Sequence, residues 1–341
     1  MENKFYYLSE KLFYGNTAGT KARNDLEVFF SERYEKLGPK IVSKEKTNFF
    51  YYVNAYIKSK MFVNKLKHIN NSVIIFQYPV TRGKVLIKYI KKICKKNKIV
   101  FFIHDVNYLR DEEINKKEEI ELLNCASIII CHNERMKAKL VSDGLNVKDI
   151  YCLDCFDYLI DNDIDNYVFE KSVVYAGNLD KGGFLGKLAE TKFDFKLNLF
   201  GPNYNLVQNN SITYCGSFKP DEVPYKLNAS YGLIWDSLDI NTCTGKLGYY
   251  TKFNNPHKMS LYITSGIPVI CWSQSAISDF VKKNNIGIVI DSLADIDNEL
   301  NKIDENHYKI LKENVKKIQA KVSKGLFTKY VLDLMENDLK K

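Results

Sequence analysis

Two series of short, β-rich apolar runs alternate with amphipathic stretches along this sequence, and a pause separates the two series. In the first, Phe5–Leu8, Val73–Phe76, Ile99–Ile103, Ser127–Cys131 and Ile150–Tyr151 read as strands. Helical periodicity falls at Lys21–Leu37, Ala55–Lys67, Arg82–Lys96, Asn115–Leu123 and Glu134–Val141. Strands that alternate with helices make βαβ units, and hence a parallel sheet covered on both faces. The pattern pauses over Cys152–Phe169, which is acidic and aperiodic and reads as a linker. It resumes with strands at Ser172–Ala176, Phe195–Phe200, Ile212–Cys215, Tyr231–Trp235, Pro268–Cys271 and Gly287–Ile290. Helices are expected at Asp221–Leu227, Pro256–Thr264, Ser275–Lys282, Ala294–Ile303, Asn306–Ala320 and Leu326–Leu339. The expectation is an α/β chain of two doubly wound, Rossmann-like domains, residues 1–155 and 166–323, with a last helix in 324–341. The length of 341 residues suits two such domains.

Composition narrows the partners. A chain with 45% hydrophobic and 13% aromatic residues is not disordered. The formal charge is +9, which points to an anionic partner. The arginines, however, are Arg23, Arg33, Arg82, Arg110 and Arg135, so none lies in the second series. Arg is the residue that reads guanine and phosphate bidentately, which argues against nucleic acid there. A phosphate site in the second half must use Lys, backbone N–H groups and helix ends. The start of the sequence shows no signal-peptide pattern, and no apolar run is long enough to span a bilayer, so a cytoplasmic chain with reduced cysteines is expected.

Doubly wound sheets bind ligands beyond the carboxyl ends of their strands, so the loops leaving strands carry the information. Tyr14–Ala22 (YGNTAGTKA) places Thr17 and Gly19 before a helix whose free N–H groups suit an anion or a sugar. It lacks G-x-G-x-x-G, so NAD is not favoured. Ala176-Gly177-Asn178 ends a buried run and leads to Lys181 in a glycine-rich turn, where backbone and a point charge can meet phosphate. Tyr214 ends another strand and offers a ring for a planar base. The densest segment is Tyr249–Pro268, where Lys252, Asn254, Asn255, His257 and Lys258 surround a helix start at Pro256. Hydrogen-bond donors and a free helix end there suit a diphosphate. His104-Asp105 follows the strand Ile99–Ile103, and either side chain can take a proton from a hydroxyl. Cys152-x-x-Cys155 has no second pair, and Asp161-x-Asp163 lies in the acidic linker, so no metal site is expected. Lys84–Lys98 is an amphipathic helix with a dense lysine face, suited to solvent or to weak contact with an anionic membrane.

The stretches AGTKARNDLEVFF, VVYAGNLDKGGFL and KFNNPHKMSLYITSGIPVICWSQSAISDFVKKNNIGIVIDSL resemble GT-B glycosyltransferases. More narrowly, they resemble the glucosyltransferase subfamily that glycosylates serine-rich streptococcal adhesins, together with its β-1,6-galactofuranosyltransferase relatives. The resemblance implies two Rossmann-like domains facing across a cleft, with a UDP-sugar on the second and a glycan or glycosylated-protein acceptor on the first. It implies a metal-independent, inverting transfer of glucose or galactofuranose, with no cofactor. The donor contacts it implies are Thr17 or Gly19, Lys181, Tyr214 and the segment Lys252–Lys258; Asn178 joins them as a strand-end residue. The base follows from no matched motif; the strand-end position makes Asp105 the expected base, with His104 as the alternative. Two rivals stay open at this point: an NAD-dependent nucleotide-sugar-modifying enzyme, and a non-catalytic glycan-binding partner subunit of a transferase. Self-association stays open as well.

Overall fold

The computed structural model describes residues 4–9, 18–37, 57, 63–80, 83–110, 115–180, 183–205 and 210–340. The chain divides into two compact units. The first comprises Met1–Tyr14, Ala22–Leu153 and Thr328–Lys341, the second Gly15–Lys21 and Asp154–Phe327. No helix among the described residues is long and apolar enough to cross a membrane.

The first unit is built on a six-stranded parallel sheet. Its strands are β1 (Lys4–Leu8), β2 (Glu35–Leu37), β3 (Ser72–Tyr78), β4 (Lys98–Ile103), β5 (Ile128–Cys131) and β6 (Asp149–Cys152), in the order β2-β1-β3-β4-β5-β6. Every residue of β3 and β5 is buried, because helices cover both faces and leave no polar side. Among the described residues its helices include α1 (Ala18–Arg33), α2 (Gly83–Ile93), α3 (Asn107–Arg110), α4 (Lys116–Leu123) and α5 (Glu134–Ser142), and residues 63–67 are helical as well. Two helix starts are set locally, by Asn115 accepting from Lys117 N and Asn133 accepting from Met136 N. The helical period over Lys21–Leu37 predicts one continuous helix. Instead α1 ends at Arg33, and Glu35–Leu37 pairs in parallel with Tyr6–Leu8. The outer edge of β1 needs hydrogen-bond partners, and three residues with exposed Glu35 and Lys36 and buried Leu37 supply them.

The second unit has its own parallel sheet, in the order β12-β11-β10-β7-β8-β9. Its strands are β7 (Ser172–Ala176), β8 (Lys196–Phe200), β9 (Ile212–Gly216), β10 (Tyr231–Ile234), β11 (Val269–Trp272) and β12 (Gly287–Ile290). Numbered within the unit this is the Rossmann order 3-2-1-4-5-6, which reverses direction between β7 and β10. Among the described residues six α-helices accompany it: α6 (Gly183–Ala189), α7 (Gly245–Tyr250), α8 (His257–Thr264), α9 (Ile277–Asn284), α10 (Ile296–Asn301) and α11 (Glu305–Val322). The expected helix at Asp221–Leu227 is a single 3₁₀ turn, Val223–Tyr225, because Pro224 brings no N–H to a longer ladder. The last helix, α12 (Leu326–Lys340), begins in the second unit and runs from Thr328 onward in the first. There it buries Val331, Leu332, Met335 and Leu339.

The boundary between the two units falls within the segment read as a linker, after Leu153, and the residues that follow it are packed. Cys155, Phe156, Asp157 and Tyr158 are all buried. The segment has no strand partner, so helix side chains satisfy its carbonyls. Ser260 donates to Phe156 O at 2.6 Å and Thr264 to Tyr158 O at 3.4 Å. Gln319 donates to Ile164 O at 2.9 Å, and Lys312 to Asn166 O.

Candidate functional site

In the second unit β7 and β10 pair only at Tyr231↔Val173 and Gly232↔Val174. Beyond that the strands part, and the Tyr262 hydroxyl of α8 fills the gap. It accepts from Ala176 N at 2.8 Å and donates to Leu233 O at 3.1 Å. Gly232 makes this approach possible, since a Cβ there would come within 2.3 Å of the Tyr262 ring. One helical turn earlier on the same face stands Lys258. Its Nζ lies 2.7 Å from Asp236 Oδ1 and 5.0 Å from the centroid of the Tyr175 ring. The Lys258 side chain is 16% exposed and that of Asp236 is 23% exposed. Burial alone would lower the Lys258 pKa, but the adjacent carboxylate overrides it and holds the ammonium firmly charged.

The rim above this pair is made of backbone. Gly177 N donates to Phe200 O and Gly201 N to Gly216 O, each at 2.9 Å, which laces β7, β8 and β9 together at their carboxyl ends. A Cβ on Gly201 would sit 1.7 Å from Gly177 O, and one on Gly177 would sit 3.1 Å from Lys258 Cε. Asn178 orders its own turn: its Oδ1 accepts from Asp180 N at 3.1 Å and from Asn203 Nδ2 at 3.0 Å. Tyr214 stacks on Tyr204, with ring centroids 4.5 Å apart and planes 12° apart, and donates to Gly201 O at 3.1 Å.

Helix α8 starts with Pro256 as its cap residue, so no side chain caps its first N–H groups. Asn255 is buried and spends its amide on Asp154 O at 2.9 Å. The Oδ1 atom of Asn254 is buried and has no hydrogen-bond partner among the described residues. The same holds for both ring nitrogens of His257, which packs near Phe156 and Tyr158. Burial pushes the His257 pKa down to about 3, so the ring is neutral at pH 7. Lys252 lies over the Trp272 ring at 5.5 Å. Gly19 is in the first turn of α1, whereas Thr17 and Lys181 lie outside the described residues.

In the first unit, His104 and Asp105 follow β4, one strand from the β1/β3 reversal. Asp105 Oδ2 is 2.5 Å from Arg110 Nη1. His104 Nε2 is 2.7 Å from Gln77 Oε1, an amide oxygen that only accepts, so Nε2 carries the proton. No three His, Cys, Asp or Glu side chains among the described residues converge on a site that could hold a metal ion.

Residues 12–155 match the N-terminal domain of glucosyltransferase 3-like proteins, and residues 173–335 match their C-terminal domain. The chain belongs to the glucosyltransferase 3-like family. It is a glycosyltransferase of GT-B fold. It is 32% identical to β-1,6-galactofuranosyltransferase WbbI of Escherichia coli (strain K12), over 98% of this chain and 99% of that one. It is 26% identical to glucosyltransferase 3 of Streptococcus gordonii, over 76% and 78% of the two chains. Among solved structures, Anabaena HepE in complex with UDP-glucose superposes with a TM-score of 0.61 at 10% identity, covering 98% of this chain and 100% of that one. Sucrose-phosphate synthase from Thermosynechococcus elongatus superposes at 0.64 with 12% identity, covering 98% and 99%. These two share the fold.

Three side chains of this glucosyltransferase 3-like chain were not singled out from sequence: Asp236, Tyr175 and Tyr204. Asp236 directly follows the predicted strand Tyr231–Trp235, so the rule that ligands gather beyond strand ends could have found it. Tyr175 lies inside β7, where alternation alone reads as core. Tyr204 has no local signal, since only the fold brings it onto Tyr214.

Proposed function

We propose that this chain transfers a hexose, glucose or galactofuranose, from a UDP-sugar to a hydroxyl of a glycan or glycosylated protein, without a metal ion and with inversion. The observation that carries the reading is the buried Lys258–Asp236 pair at the β7/β10 reversal, beneath a glycine rim and beside an uncapped helix start. A developing diphosphate needs fixed positive charge, and Lys258 with the first N–H groups of α8 provides it. The UDP-glucose in HepE and the sugars in the names of the two relatives support the donor class. Lys252, Asn254 and Asn178 border the same region, and Thr17, Gly19 and Lys181 join the proposal on sequence alone. Asn255 and His257 act from beneath, as a tether and a neutral wall. Tyr214 offers the base the ring face that Tyr204 leaves open.

In the reaction the acceptor oxygen bonds to the anomeric carbon as the bond to the diphosphate oxygen breaks. The electron pair leaves with UDP, and the acceptor proton passes to Asp105 or, as the alternative, to Nδ1 of His104. The ion pair with Arg110 holds the Asp105 carboxylate in a fixed orientation. The test is transfer from a panel of radiolabelled UDP-sugars by the native chain, Lys258→Ala and Asp105→Asn. Lys258→Ala is expected to lower kcat by roughly 10²–10³. Full turnover by both variants removes these role assignments. Absence of UDP binding in calorimetric titration removes the donor site itself.

A further inference from the structure

The first unit carries a concentration of positive charge that sugar transfer does not use. On α2 and the turn after it, Lys88, Lys91, Lys92, Lys95 and Lys96 are all exposed, while Ile90 and Ile93 between them are buried. The helix therefore spends its apolar side on the sheet and shows solvent mainly ammonium groups. The fold then adds lysines from distant parts of the chain. Asn71 N donates to Lys96 O at 2.8 Å and Asn97 Nδ2 donates to Ile69 O at 2.9 Å. These bonds bring the segment with exposed Lys65 and Lys67 to the same end of the sheet. Lys98 reaches Leu339 O at 3.5 Å, which sets exposed Lys340 beside it. Of the five lysines on α2 and its turn, one is ion-paired among the described residues, Lys91 with Glu121 at 3.4 Å. Both partners of that pair are well exposed, so the pair is weakly held and opens readily, while the other four lysines keep their full charge.

We propose that this lysine face docks the protein on an anionic membrane surface, with acidic phospholipid headgroups as the partner. The face is made of lysine. Among the described residues of α2 and its turn there is no guanidinium fork to read one phosphate or base edge bidentately. Among the described residues no large apolar or aromatic side chain between these lysines is fully exposed, so the described face lacks the stacking platform of a nucleic-acid groove. A spread of mobile point charges matches a plane of many singly charged headgroups, where each lysine near the surface adds roughly fivefold to partitioning. Because the apolar side of α2 is already committed to the sheet, docking is purely electrostatic and inserts nothing into the acyl layer. Added salt should therefore reverse it completely.

The experiment is co-sedimentation of the full chain with phosphatidylcholine vesicles that contain or lack phosphatidylglycerol, at low and high salt. The native chain and the triple variant Lys92→Glu, Lys95→Glu, Lys96→Glu are compared. All three positions are exposed, and an unchanged circular-dichroism melt verifies folding. The expected result is binding only to the phosphatidylglycerol vesicles, lost at high salt and weakened at least roughly hundredfold in the variant. Equal sedimentation with both vesicle types, or equal binding by the variant, overturns the proposal. Tighter binding of the native chain to a fluorescent DNA duplex than to anionic vesicles also overturns it, by assigning the face to nucleic acid.

Discussion

Lys258 is held between two opposing influences. Removal from water disfavours its charge, and Asp236 at 2.7 Å restores it. Deleting one partner of such a pair strands the other, at a cost of about 3–5 kcal/mol. Asp236→Asn should therefore destabilise the second unit by a few kcal/mol. It should also let burial pull the Lys258 pKa down. The sign of the kinetic consequence follows. If transfer needs the ammonium, the variant loses activity as pH rises through the lowered pKa, whereas the native chain has no such limb. UDP should raise the melting temperature of the variant more than that of the native chain, because its diphosphate replaces the missing anion. Equal shifts in the two proteins would detach Lys258 from the donor. Gly201 makes a sharper steric case. Its φ of +139° and the 1.7 Å approach to Gly177 O leave no room for a methyl group. Gly201→Ala should abolish the lacing of the β7 and β8 ends and with it UDP binding, read by titration calorimetry.

At the level of elements, α8 and α11 hold the extended segment after Leu153 through side chains rather than a ladder. Gln319 joins the segment to α8, donating to Ile164 O at 2.9 Å and to Thr264 O of α8 at 2.8 Å. Gln319→Leu keeps the volume and removes the donors, which should cost about 1–3 kcal/mol per buried carbonyl left unpaired. Limited proteolysis should then cut within residues 160–167 at a rate the native chain does not show. The first turn of α8 adds a pH dependence. His257 has a pKa of about 3 in the folded chain, against 6.5 for an ordinary histidine. Between these values the unfolded chain binds the extra proton, so stability falls as pH drops below 6.5. His257→Gln should flatten that acid limb of the melting curve. Most of the fold was legible in the sequence because strands such as β3 and β5, buried on both faces, are unbroken apolar runs. The elements that escaped had weak local signals. The stretches GFLGKLA and GKLGYY carry glycines that mask α6 and α7, and β2 is three residues long. The acidic residues of 152–169 hid the buried Cys155–Tyr158 within them. For the site, spacing exposed the segment Lys252–Lys258 but not Asp236, which meets Lys258 only after β10 and α8 are packed together.

Over the whole molecule, the two units are not two consecutive halves of the chain. The first is completed by its last fourteen residues, which return from the second. The return is specific: Arg33 pairs with Asp333 at 2.6 Å, Tyr34 donates to Glu336 at 2.7 Å, and Tyr151 donates to Asp338. Beneath these polar contacts α12 buries Val331, Leu332, Met335 and Leu339. At about 1.5–3 kcal/mol for each buried side chain, this helix contributes an amount comparable to the whole stability of an ordinary domain. A chain ending at Gly325 should therefore lose cooperative folding of the first unit, although residues 1–153 are intact. The second unit keeps its sheet and all of α11, so it should still fold. Hydrogen exchange separates the two outcomes. Amides of β3 and β4 should lose their protection in the shortened chain, while those of β7 and β10 keep theirs. Native protection in β3 and β4 would show that the first unit stands without α12. Arg33→Ala isolates the polar share, and because the pair is partly exposed it should cost only about 0–1 kcal/mol, leaving the apolar face of α12 as the larger contribution.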